Sequence, residues 1–360
     1  MRMIDQQMTE TVRKYASDME QNGKLDQTVL DLIYEHRLFK LFVPDTIGGR
    51  MTPFPEAIRY FEDTAYIDGS FGWLVQIGSG AGFFATVMDP RAVQELFSVR
   101  NFYIAGSDRP LGVARKTDDG YIVNGAWPYA SGADHASLFT ATCRIESDDF
   151  DDGLLRAFAM LPDQVRVESD WNAFGLCATG SHTIHVEDAL VPAHYRFDVA
   201  DPHFHYDNPI YHYPFEPFAA ANIAATTIGI ARHFFDAARA HIEEKETSWK
   251  KERHVHAVKV LDDSEAAFLE ARKNFHSVIE SSWAQHQQGI SPDSDDIPVL
   301  SKIVAHHAVG GAQKLYRHLG MDVIMADHPL NRIYRDLLTA SQHGLLTDTT
   351  GTLELDGQQF

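Results

Sequence analysis

Gly120-Tyr-Ile-Val-Asn-Gly-Ala-Trp-Pro-Tyr-Ala-Ser-Gly-Ala-Asp-His135 is the stretch on which the fold turns. It reads as a strand that leaves a tight Asp118-Asp119-Gly120 turn, runs through Trp127 and ends at Ser131-Gly132. A hydroxyl at the mouth of such a strand can hydrogen-bond the polar edge of a planar ring. An indole beside it can cover the ring's face. The residues by themselves also allow an ordinary amphipathic hairpin whose serine is a cap.

Strand signals continue on both sides, with a second turn at Asp151-Asp-Gly153. Strands are expected at 111–117, 121–130, 137–145, 154–161, 164–170 and 181–187. Short strands at this spacing suggest a small barrel or sandwich. Before them, residues 1–100 have helical periodicity, broken at Pro44 and Gly48-Gly49. The apolar run from Phe71 to Met88 holds Gly72, Gly78, Gly80 and Gly82. No preceding strand and no Gly-Lys-Ser/Thr supports a phosphate loop, so these glycines are read as letting helices approach closely. After the strands, residues 201–218 carry four prolines and many aromatic rings. That forbids a continuous helix and reads as a loop over a pocket or a plain connection. Helices are then expected near 219–250, 257–289, 297–320 and 328–346. The layout is an α+β multidomain chain: a helical domain over 1–100, a central β-barrel over 101–200 and a four-helix bundle over 201–360.

Composition narrows the function classes. The net charge is −20, so no basic excess exists to neutralise phosphates of nucleic acid or an anionic membrane. Two cysteines, Cys143 and Cys177, make no disulfide framework. Nothing resembles a signal peptide or a run of about 18 apolar residues. The expected location is the cytoplasm. Tight histidine pairs occur at His203/His205, His254/His256 and His306/His307, but His-Glu-x-x-His and Cys-x-x-Cys are absent, so no metal site is expected. No Gly-x-Ser-x-Gly points to a hydrolase.

Three blocks resemble the acyl-CoA dehydrogenase superfamily, and more narrowly its two-component flavin-dependent monooxygenase (hydroxylase, group D) branch. Gly125, Trp127, Ser131, Gly132, Asp134, His135 and Ala136 match the branch's Gly-x-Trp-x-x-x-Ser-Gly-x-Asp-His-Ala strand. Thr179, Gly180 and Ser181 match a Gly-Thr-Gly-Ser segment, although Cys177 stands where the family often has a basic residue. Pro329, Arg332, Arg335 and Asp336 match the last long helix, where Arg332 and Asp336 are spaced to pair across one turn. The common dehydrogenases carry a catalytic Glu eight residues after this Asp; here that position is Gly344, preceded by His343.

The resemblance implies reduced flavin bound between barrel and bundle, oxygen adding at its C4a atom, and hydroxylation of an aromatic ring or oxidation of an amine. Ser131 would bond the flavin N5 edge, Trp127 would pack near the ring, and Gly132, Thr179 and Ser181 would contact the cofactor. His343 would act on the peroxide or substrate from the helix face it shares with Asp336, and Ser107 would line the same pocket. The Arg-x-x-Phe-Gly segment that grips the FAD diphosphate is missing from Thr247–His256, where Lys250, Lys251 and Arg253 are the only cations. That suits a flavin delivered reduced by a separate flavin reductase and leaves FAD and FMN both open. A small-molecule substrate and a homotetramer built through the C-terminal helices follow, with the apolar segment 219–231 supplying interface. Two other readings stand beside this one. One is an acyl-CoA dehydrogenase with a relocated base, for which Glu243, Glu244 and Glu246 are the nearby carboxylates. The other is a non-catalytic flavin-binding scaffold.

Overall fold

A computed structural model of the chain describes residues 3–347, 354–355 and 358–359. The outer ends of the 1–100 and 201–360 segments lie outside the described residues. Five helices come first: α1 (Gln6–Asn22), α2 (Gln27–Glu35), α3 (Phe54–Ile67), α4 (Gly69–Gly80) and α5 (Pro90–Phe97). The starts of α1, α2, α4 and α5 are set by side-chain caps. Asp5, Asp26, Asp68 and Asp89 each accept a backbone N–H from the first turn of the helix that follows. Of the glycines expected to bring helices together, Gly72 does so, and Gly78 makes room for aromatic rings. A Cβ on Gly72 would lie 2.3 Å from the Ala65 Cα, and one on Gly78 would strike Tyr103 and Phe39. Gly229 plays the same part between α3 and α6 (Phe215–Glu244), where a Cβ would meet the Glu62 carbonyl at 2.1 Å.

Seven strands follow: β1 (Ile104–Thr117), β2 (Gly120–Ala130), β3 (Leu138–Glu146), β4 (Leu155–Met160), β5 (Arg166–Glu168), β6 (His182–Val191) and β7 (Arg196–Phe197). Their order is β5-β6-β2-β1-β3-β4-β7. β1 and β3 run parallel and every other pairing is antiparallel, so the sheet is mixed. The expected barrel is not closed, because nothing pairs β5 with β7. With three and two residues, these edge strands are too short to build a seam. β1 also starts earlier than periodicity suggested, because its first half pairs with β3 before a large bulge. Between Ser107 and Gly112 it advances five residues while β3 moves two, from Ala141 to Cys143.

Residues 201–218 pack inward. The Tyr211 hydroxyl donates to the Phe42 carbonyl (2.7 Å), the His203 N–H to the Thr86 carbonyl (2.7 Å), and Tyr213 shares a hydrogen bond with Ser282. The segment lies over Ala81–Thr86 at the end of α4. Helices α6, α7 (Lys251–Gln287) and α8 (Asp296–Leu319) then pack on one another, and the short α9 (Pro329–Ala340) rests on α6 and α4. This differs from a free-standing bundle, because α6 also packs along α3 and α4. Within the expected interface segment 219–231, residues 220–231 are consequently buried within the single chain. No helix among the described residues is long and apolar enough to cross a membrane.

Candidate active site

The end of β2, the turn before β6, helix α4 and the turn after α9 meet at one place. Ser131 is 8% exposed there. Its Oγ accepts the Trp73 indole N–H at 3.1 Å and lies 2.8 Å from the Ser181 Oγ. Ser181 is 2.7 Å from the Thr179 Oγ1, which donates to the Leu176 carbonyl at 2.8 Å. Each hydroxyl carries one proton, so the chain has one direction. Thr179 gives its proton to Leu176, Ser181 therefore gives its own to Thr179, and Ser131 gives its own to Ser181. With its proton committed, Ser131 offers any further partner a lone pair.

Backbone contacts fix this relay. The Gly132 N–H donates to the Thr179 carbonyl (2.7 Å), and the Tyr103 hydroxyl donates to the Ser131 carbonyl (3.0 Å). Gly132 sits at φ +77°, and a Cβ there would lie 2.4 Å from the Tyr103 ring, so both conformation and space require glycine. Gly180, at φ +48°, makes the same allowance for Asp134. His135 is stacked on Phe39 with its pKa pushed down to about 4 by burial, which keeps it neutral.

Trp73 joins this relay to His343. The indole that bonds Ser131 has its ring centroid 5.9 Å from the His343 imidazole. His343 is not on a helix. α9 ends at Ala340, and His343 sits in the turn that follows, with its Nδ1 accepting the Leu345 N–H (3.3 Å). The expectation that it shares a helix face with Asp336 therefore fails, and Trp73 lies against both His343 and Ser131. Burial lowers the His343 pKa from 6.5, and the nearby Asp108 carboxylate opposes that shift. The imidazole is neutral at pH 7 and can accept a proton. Ser107 lies just before Asp108 at the start of the β1 bulge, half-buried, with its Oγ facing the Arg109 N–H.

Trp127 is placed elsewhere. It is 0% exposed, wedged beside Gly112 and Gly125, and its N–H donates to the Thr142 carbonyl at 3.1 Å. An indole with no accessible surface cannot cover a cofactor ring, so that expectation is corrected: the indole at Ser131 is Trp73. The signal for Trp73 was a ring N–H inside an otherwise apolar helix, which needs a buried acceptor. Asp336 also departs from its expected pairing. It accepts the Leu176 N–H (2.6 Å), while Arg335 pairs with Glu20 at 2.5 Å. Burial and the neighbouring Asp68 raise the Asp336 pKa, and Arg332 opposes them only through its field. Glu243, Glu244 and Glu246 are exposed, and Arg253 stacks on Trp249 at 3.9 Å. Among the described residues no group of three or more His, Cys, Asp or Glu side chains is placed to hold a metal ion.

A separate charged cleft of about 550 Å³ lies between α3, α6 and α7, remote in sequence from Ser131 and His343. There the buried Glu62 receives Arg232 and Arg272, each at 2.7 Å, and His276 at 2.7 Å. Burial would raise the Glu62 pKa, but the hydrogen bond from His276 and the three positive groups hold it at about 2.

The chain is similar to known proteins in sequence and in fold. The family model described as "Acyl-CoA dehydrogenase, C-terminal domain" matches residues 221–348. An indole-3-acetate monooxygenase of Pseudomonas putida is 27% identical, with 94% of this chain and 88% of the relative aligned. The oxygenase subunit HsaA of a flavin-dependent monooxygenase from Rhodococcus jostii is 25% identical over 92% of this chain and 91% of its own. The solved structure of XiaF from Streptomyces, in complex with FADH2 and glycerol, superimposes with a TM-score of 0.81 at 20% identity, covering 95% and 91% of the two chains.

Proposed function

The chain belongs to the acyl-CoA dehydrogenase superfamily, in its flavin-dependent monooxygenase branch, and from that premise we propose that Ser131, Trp73 and His343 form its oxygenation site. The observation that carries the reading is the direction of the hydroxyl relay. A reduced flavin has an N–H at N5 and an oxidised flavin does not. Ser131, with its proton given to Ser181, is an acceptor suited to the reduced form. When bound, reduced flavin supplies two electrons to dioxygen, so that one oxygen atom enters the substrate and the other leaves as water. The protein's part is to orient the ring edge with Ser131, to keep bulk water away and to hold a neutral base at His343.

FAD is the flavin we favour, with FMN the alternative, and a separate reductase would deliver it reduced. Thr179 and Ser181 act through Ser131 in this reading, as positioning groups. The substrate is a small aromatic molecule. The subunits would assemble as a homotetramer, and the exposed Val255, Met321, Ile324 and Met325 are among the apolar side chains available for it.

The test uses protein loaded with reduced FAD and mixed with 18O-labelled dioxygen in the presence of phenol or indole. One labelled oxygen atom in the product supports the proposal. Unlabelled product contradicts it, and bleaching of bound oxidised flavin by an acyl-CoA supports the dehydrogenase reading instead.

A further inference from the structure

Gly80 breaks the pattern of the other α4 glycines. A Cβ at Gly72 or Gly78 would collide with packed neighbours, whereas one at Gly80 would meet just two groups within 4 Å, the Gln76 Nε2 at 3.5 Å and the Asn222 Nδ2 at 3.7 Å. Gln76 and Asn222 are 4% and 1% exposed. The Gln76 Oε1 and Asn222 Oδ1 are buried without a hydrogen-bond partner among the described residues. One turn beyond Asn222 on α6, the Thr226 Oγ1 is also unpartnered. Buried side-chain amides are nearly always satisfied in a native interior, so two whose nitrogens border Gly80 and whose oxygens lack a partner point to a ligand that completes them.

The notch is in line with the reaction centre. α4 is buried along most of its surface; Ile77 and Gly80 keep some access, and the buried Trp73 lies on the same face. They are spaced i, i+4 and i+7. Trp73 bonds Ser131 and touches His343, and Gly80 lies about 10 Å farther along the helix axis.

We propose that Gln76 and Asn222, facing across Gly80, hold the hydroxyl of a hydroxylated aromatic substrate. This rests on the reading of the Ser131 centre as an oxygenation site. An amide can turn to present either its N–H or its carbonyl. A hydroxyl accepts from one amide and donates to the other, which also satisfies a stranded oxygen. A ring N–H can only donate, and a carboxylate would bring a charge into a notch with no cation at its two walls.

Binding of phenol, toluene and indole to the FAD-loaded protein, measured by calorimetry, tests the assignment apart from turnover. Phenol should bind at least about fivefold tighter than toluene, its isostere without a hydroxyl, and tighter than indole. In Gln76→Leu and in Asn222→Leu, phenol should fall to the level of toluene while toluene is held at least as well. Gly80→Ala, which alters neither amide, should also weaken phenol selectively. Equal affinity for phenol and toluene, no binding of phenol, or a phenol preference that survives in both leucine variants would overturn the proposal. If the preference is present but labelled oxygen is not transferred, the oxygenation reading falls and the subsite stands.

Discussion

At Ser131 the useful property is a proton already given away. Ser181→Ala should therefore matter although Ser181 is one bond removed from the site. Without that acceptor the Ser131 proton is free to point at the cofactor edge, and coupling of reduced flavin consumed to product formed should drop. Unchanged coupling in Ser181→Ala, measured as the ratio of product to hydrogen peroxide, would count against the relay. His343→Ala should lower product formation by roughly 10²–10⁴-fold and raise peroxide release if the imidazole moves a proton. The pH profile gives the sign. Burial depresses the His343 pKa below 6.5, so the neutral form is present at pH 7 and is lost only as pH falls through that lowered value. The acid limb of the wild-type profile should lie below 6.5 and vanish in His343→Ala. Much of the motif around Ser131 was legible in sequence, but its residues divide by role. Gly132 accommodates Tyr103, Asp134 lies against Gly180, Trp127 fills the sheet, and only Ser131 reaches the site. A linear motif does not carry that distinction, because burial is decided by what the strand packs against.

Among the elements, α4 positions most of the chemistry. Its contacts explain why a helix so rich in glycine is retained despite the helix-propensity cost. Gly72→Val should destabilise by about 1–3 kcal/mol, since the backbone of α3 lies where the new Cβ would go, and thermal unfolding would register it. Gly80→Ala would place its Cβ at ordinary van der Waals distance from Gln76 and Asn222 and should leave the melting temperature unchanged or slightly raised. A drop at Gly80 as large as at Gly72 would contradict the notch. Strand existence was well marked by the turns at Asp118–Gly120 and Asp151–Gly153. The start of β1 was not, because a bulge after Ser107 breaks its alternation. The end of α9 was also missed. Residues 341–346 carry no proline, their glycine, Gly344, stands four residues past the end at Ala340, and the helix gives way to a turn in which the Leu346 N–H bonds the His343 carbonyl.

Over the whole molecule, the helical first part and the helical last part are joined by charge as well as by apolar packing. Glu62 on α3 binds Arg232 on α6 and both Arg272 and His276 on α7. Glu62→Ala should cost about 3–5 kcal/mol, because it leaves positive groups partly buried without their partner. The Glu62 pKa is depressed from 4.5 to about 2, so its stabilisation is full above 4.5 and is lost as pH falls from there toward 2. Unfolding curves across that range would show whether the wild type loses stability that Glu62→Ala has already lost. Helix-strand-helix order was readable from periodicity, but the sharing of α6 between the two helical parts was not, since an apolar face does not name its partner. The claim that unites these scales is that the folded chain presents an acceptor to a reduced flavin. Its most direct measurement is the anaerobic affinity for reduced FAD beside the affinity for oxidised FAD, in wild type and Ser131→Ala. The account predicts tighter binding of the reduced form, with about 0.5–1.5 kcal/mol of that preference lost in Ser131→Ala. Equal or tighter binding of oxidised FAD by the wild type, or a preference untouched by the substitution, would contradict it.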